Sequence, residues 1–136
     1  MIEINTTLAP FTLNDQFGDE HKVEYMPKLL ICSFQKSTGT LLGEYFTQHD
    51  KSYLRQHDIL LMADISAVPA LLRKTIIIPK MKKYAFRVLL CVEDECGKQF
   101  PKEEEKLTIL RFENNEIKEI LFAGDILSLQ KIIEGE

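Results

Sequence analysis

Cys91 and Cys96 are separated by four residues, a spacing that permits a disulfide when the turn between them brings the two together. With Cys32 the chain carries three cysteines, an odd number that does not make a disulfide framework, so free thiols are the simplest expectation. Glu93, Asp94 and Glu95 lie between the first two, and their negative charge raises a neighbouring thiol's pKa and discourages thiolate attack. Cys91 falls in an apolar strand, where cysteine behaves as a small hydrophobe. Cys96 falls in a charged turn and is expected at the surface, and Cys32, in mid-strand, in the core.

A second constellation is built from oxygen. Ser37-Thr38-Gly39-Thr40 precedes a helical pattern, so its hydroxyls and free amides, with Lys36 beside them, can converge on an anion. The simpler reading is capping, with Thr38 or Thr40 as the cap. The same four residues are similar to the phosphate loop of flavodoxins but one residue short, and no cofactor is expected. His49 lies on the apolar arc of the first helix between Phe46 and Tyr53, as a hydrogen-bonded core histidine would, while His21 and His57 lack convincing partners. Histidines and cysteines scattered without ligand spacing predict no metal site. No dinucleotide fingerprint, Walker loop or nucleophile elbow is present.

The elements that must position these residues follow from periodicity. Leu8–Leu13 and Lys22–Tyr25 alternate around the turn formers Asn14–Asp19, which predicts a hairpin. Leu29–Phe34 is apolar on both faces, as a central strand covered by helices on each side would be. Gln35–Thr40 reads as a polar loop, and Thr40 to about His57 as a helix. Ile59–Ala63 is a second buried strand. A second helix begins near Val68 or Pro69 and must bend or restart at the β-branched run Thr75–Ile78 and Pro79. Phe86–Val92 is a third strand, followed by a charged turn in which Gly97 supplies a positive φ if one is needed. Leu107–Phe112 and Ile117–Phe122 form a tight hairpin joined at Asn114-Asn115, and Asp125–Ile133 is a closing helix. The class is α/β, a central mixed β-sheet flanked by helices with an N-terminal β-hairpin.

Several local words in this order resemble the thioredoxin-like superfamily, particularly its peroxiredoxin branch, the alkyl hydroperoxide reductase and thiol-specific antioxidant type. Ala9-Pro10-Phe11-Thr12-Leu13-Asn14-Asp15-Gln16-Phe17-Gly18 is similar to the family's opening, with its proline, phenylalanine and D-x-x-G turn. Leu89 to Gly97 resembles its later strand and D-x-x-G turn, and Leu107 to Ile120 its closing hairpin. In the family a C-x-x-C pair or a single cysteine stands where the first helix begins, stabilised as thiolate by amides and helix dipole. Here an ungapped alignment puts Gly39 and Leu42 at those positions, and alignment by chemistry puts Ser37 and Thr40 there, so the resemblance implies that ordinary redox chemistry is absent. Pro101 is the nearest candidate for the family's cis-proline, with Lys102–Lys106 between it and the strand.

The chain's 136 residues fit one domain, 1–136. Seventeen basic against 21 acidic residues give a net charge of −4, which offers phosphates no attracting field, so no nucleic acid is expected. No apolar run reaches the roughly 18 to 20 residues of a membrane span, and no membrane partner is expected. The N-terminus lacks the pattern of a secretion signal, which makes the cytoplasm the expected location. Arg73, Lys74, Lys80, Lys82, Lys83 and Arg87 fall in a stretch without acidic residues and read either as a solvated surface or as a face for an acidic partner. The resemblance then implies a redox-inactive thioredoxin-like domain that binds a protein or peptide beside Ser37, Thr38, Gly39, Thr40 and Pro101. The alternative is a thiol-dependent oxidoreductase or peroxidase that uses Cys91 and Cys96 at a relocated centre. Oligomeric state is left open.

Overall fold

The computed structural model describes residues 2–135. Its five-stranded sheet has the order β5-β4-β3-β6-β7, with β3 Leu29–Ser33, β4 Ile59–Asp64, β5 Leu89–Cys91, β6 Leu107–Glu113 and β7 Glu116–Ala123. β3 pairs in parallel with β4 and β4 with β5, whereas β6 runs antiparallel to both β3 and β7. The N-terminal hairpin, β1 Phe11–Asn14 and β2 Glu20–Val23, forms its own two-stranded sheet and touches the main one through an Asp15–Leu89 bridge.

All five residues of β3 are buried, and alternate side chains enter two separate cores. Leu29 and Ile31 pack with helix residues such as Leu42, Tyr45, Phe46 and Leu129. Leu30 and Cys32 pack instead with Leu8, Met62, Phe100, Leu110 and Ile117. The helices contribute to the first cluster, so the second face of β3 is covered by the N-terminal segment and a late loop, not by helices as its sequence suggests. The cause is topological. Both crossovers, β3 to β4 and β4 to β5, step in the same direction across the sheet, and right-handed connections then lie on the same face.

Helix α1 spans Lys36–Thr47, beginning a turn before the expected Thr40, and α2 is a separate short helix at Ser52–Gln56. Residues 70–81 form one helical stretch in which α3 Ala70–Leu72 passes through a π-helical segment Arg73–Ile77 into α4 Ile78–Met81. The irregularity thus falls where β-branched residues approach Pro79, which has no amide hydrogen to donate. Asn114 and Asn115 both have positive φ, 51° and 68°, as a two-residue hairpin turn that follows the sheet's twist requires. Asp125 caps α5, Ile126–Glu134, by accepting from the Ser128 amide at 2.7 Å.

Candidate functional site

β3 delivers the chain to the start of α1, where the family resemblance would place sulfur. The N-cap is Gln35, not Thr38 or Thr40, and its amide donates to Thr38 Oγ1 at 3.2 Å from within the first turn. Thr38 is buried and shares a second hydrogen bond, 2.9 Å, with Ser33 Oγ. Thr40 is exposed and its hydroxyl donates to the Lys36 carbonyl at 3.2 Å. Ser37 is exposed and Gly39 half-buried, with Ser33 Oγ 3.6 Å from where a Gly39 Cβ would stand. Cys32 is free and wholly buried. Burial, with Asp64 nearby, pushes its thiol far up, so it is a core residue as its sequence position predicts.

The sulfur chemistry lies at the end of β5. Cys91, the last residue of that strand, is wholly buried and disulfide-bonded to Cys96, with their Cα atoms 5.8 Å apart. This corrects two expectations: Cys91 is not a free thiol, and Cys96 is half-buried rather than surface-exposed. The turn between them is closed by the Cys96 amide donating to the Glu93 carbonyl at 3.1 Å. Gly97 follows, and its φ lies outside the left-handed region, so backbone conformation is not the reason for glycine there. A Cβ at Gly97 would instead overlap the Asp64 carboxylate and stand 3.0 Å from the Phe34 ring.

The same loop then docks on the tip of α1. Lys102 Nζ donates to the Gly97 carbonyl at 2.6 Å and lies 4.6 Å from the centroid of Phe34, whose ring is 5.8 Å from that of Phe100. The Glu105 amide donates to Gln35 Oε1, and Thr108 Oγ1 donates to the Pro101 carbonyl at 2.8 Å. The half-buried Pro101 therefore belongs to a loop held against the N-cap of α1. No peptide bond among the described residues is cis, the one before Pro101 included.

Between this loop and the N-terminal hairpin lies a cleft of about 750 Å³. Phe11, Leu13 and Phe17 line it from the hairpin side, and Leu90, Cys96 and Phe100 from the other. The hydroxyl-bearing turn Ser37–Thr40 and Pro101 do not line it. The tip of α1, with Pro101's loop held against it, is thus a different place from the cleft that Cys96 lines.

One functional-looking cluster escaped the sequence reading. Asp15, 2% exposed, accepts from His21 Nε2 at 2.7 Å, from Arg87 Nη1, and from the Phe17 and Asp19 amides at 2.8 and 3.1 Å. Burial alone would raise its pKa, but the His21 and Arg87 bonds and the two amides outweigh it and hold the carboxyl at about 2. Gln16 beside it is also buried and fully used: Nε2 donates to the Phe86 and Met81 carbonyls at 2.7 and 3.2 Å, and Oε1 accepts from the Val88 amide at 2.8 Å. The D-x-x-G turn is a clamp on the chain entering β5. The basic set is likewise partly spent, since Arg87 also pairs with Asp19 at 2.7 Å and Arg73 donates to the Val68 carbonyl at 3.1 Å.

His49 lies between α1 and α2, not within a continuous helix, and stacks on Tyr53 with ring centroids 3.9 Å apart. Tyr53 links the buried Tyr45 hydroxyl, at 2.6 Å, to the Glu134 carboxylate, at 2.7 Å. Among the described residues no group of three or more His, Cys, Asp or Glu side chains is arranged to hold a metal ion. Among the described residues no helix is long and apolar enough to cross a membrane.

No protein-family profile matches the sequence, and no curated protein matches it significantly. Solved structures do match across nearly its whole length. Peroxidoxin BcpB from Mycobacterium tuberculosis superposes with a TM-score of 0.61 at 13% identity, over 98% of this chain and 96% of that one. The thioredoxin domain of a thiol-disulfide oxidoreductase from Bacteroides vulgatus gives 0.58 at 9% identity, over 98% and 99%. The mitochondrial 2-Cys peroxiredoxin from Plasmodium falciparum gives 0.55 at 12% identity, over 98% and 93%. At these identities the likeness is one of fold. The fold is thioredoxin-like and has peroxiredoxins and thiol-disulfide oxidoreductases among its structural neighbours.

Proposed function

We propose that this protein is a thiol-disulfide exchange protein whose working pair is Cys91–Cys96. The observation that carries this reading is the bond itself, at the C-terminal edge of the parallel strands and with Cys96 lining an open cleft. That edge is where open α/β sheets place their ligands. The names of the structural neighbours, a peroxidoxin, a peroxiredoxin and a thiol-disulfide oxidoreductase, add support of kind.

The chemistry is a two-electron exchange. An incoming thiolate attacks Cys96 Sγ, the bond to Cys91 breaks, and its electron pair goes to Cys91 Sγ, which takes up a proton. A second thiolate then attacks the partner's sulfur of the mixed disulfide, the bond to Cys96 breaks, and Cys96 Sγ keeps the electron pair and takes up a proton, leaving two protein thiols and a partner disulfide. Cys91 is buried and acidic residues follow it, so it leaves reluctantly as a thiolate and exchange is slow relative to a pair at a helix N-terminus. In a reducing compartment such a bond is transient, and in an oxidising one it persists.

The test is cyclic reduction and reoxidation of the folded protein, with insulin reduction and peroxide consumption as turnover assays. Cysteine-dependent turnover that disappears in Cys96→Ser is expected. Absence of turnover in both assays, with a pair that never reforms after reduction, refutes the reading.

A second reading, a redox-inactive protein or peptide binding module, is favoured by one observation. The start of α1 holds a buried threonine and no sulfur. Partner capture unaffected by Cys91→Ala with Cys96→Ala, together with no turnover, would select it.

A further inference from the structure

Resting on the exchange reading, we propose that the site discriminates among its thiol partners by charge and takes cationic thiols, such as cysteines flanked by lysine or arginine, in preference to anionic ones. Glu93 and Glu95 line the cleft together with Cys96, and Glu20 joins them from the hairpin. All three are exposed. Two other charged residues line the same cleft, Asp15 and Lys82. Asp15 is already paired with Arg87 and His21, so its charge is compensated inside the fold. Lys82 offsets one carboxylate. Lys98 outside the cleft lies 3.8 Å from Glu95, an exposed pair that screens little of its field.

The net field at the cleft is therefore negative, and a thiolate must cross it to reach Cys96. A thiolate is itself an anion, so a neighbouring positive charge on the same molecule cancels the repulsion, and an added negative charge doubles it. Two uncompensated charges at several ångströms in a solvated cleft correspond to about a tenfold difference in rate between a cationic and an anionic thiol at low salt. The difference shrinks to about twofold at 0.5 M salt, where screening extends over only about 4 Å.

The test uses cysteamine, 2-mercaptoethanol and 3-mercaptopropionate as cationic, neutral and anionic probes. Reduction of Cys91–Cys96 in the native chain is quenched with N-ethylmaleimide, followed by mass shift, and expressed per thiolate present. Rates are expected to fall in the order cationic, neutral, anionic. The order should flatten in Glu93→Gln with Glu95→Gln and steepen in Lys82→Gln. Equal rates per thiolate for the three probes, with reduction otherwise normal, overturn the charge selection and leave the exchange reading standing. A pair that none of the probes reduces and no oxidant re-forms overturns both, through the exchange reading. An order that survives both glutamate substitutions unchanged overturns the assignment to these residues.

Discussion

The carboxylate of Asp15 and the guanidinium of Arg87, 72 residues apart in sequence, form an ion pair that ties the N-terminal turn to the segment entering β5. Since the Cys91–Cys96 loop leaves that strand, the pair holds one wall of the cleft to the other.

Replacement Asp15→Asn should destabilise the protein and make it less sensitive to acid. The folded carboxyl lies at about 2 against 3.8 in the unfolded chain, a difference corresponding to about 2 to 3 kcal/mol. Because the folded value is depressed, this contribution is fully present above the unfolded value and is lost as pH falls from about 5 toward 2. Urea unfolding at pH 7 and pH 3 measures it. The wild-type loss between the two pH values should exceed that of the variant, and equal losses would place the acid sensitivity elsewhere.

Gly97→Ala should cost about 1 to 3 kcal/mol, the usual range for overpacking, because its methyl overlaps the Asp64 carboxylate. Asp64→Ala in the same chain should recover part of that loss. A thermal melt of the single and double variants checks both, and a Gly97→Ala protein as stable as the parent would show that the loop yields freely.

Reduction of Cys91–Cys96 should lower stability by about 2 kcal/mol, as chain entropy predicts for so short a loop. Cys91→Ala with Cys96→Ala should match the reduced protein in urea unfolding. A reduced protein as stable as the oxidised one would mean that the bond constrains nothing the fold does not already hold.

Tyr53→Phe removes the hydroxyl that links Tyr45 to Glu134. The buried Tyr45 hydroxyl then loses its partner, at a cost of about 1 to 3 kcal/mol. Glu134→Gln keeps an acceptor for Tyr53 and should cost less. Equal effects of the two substitutions in urea unfolding would contradict this ordering.

Local features are legible in the residues. The burial of Leu29–Ser33 on both faces and the tight Asn114-Asn115 turn each follow from a few neighbouring side chains, and each has its expected form. The start of α1 differs from its expected place because Thr38 bonds backward to Gln35 and Ser33 and not forward as a cap. The spacing of Cys91 and Cys96 allows a bond, but whether Glu93–Glu95 turn tightly enough depends on how the loop docks against Asp64, Phe34 and Gln35, which are distant in sequence. The cleft and the Asp15–Arg87 pair are not legible for the same reason: both exist only after the hairpin folds across β5.

Thiol titration of the denatured protein, before and after a cycle of reduction and mild peroxide oxidation of the native chain, tests the redox pair most directly. One thiol in the oxidised protein, that of Cys32, three after reduction and one again after oxidation are predicted. Three thiols remaining after oxidation would contradict a working Cys91–Cys96 couple.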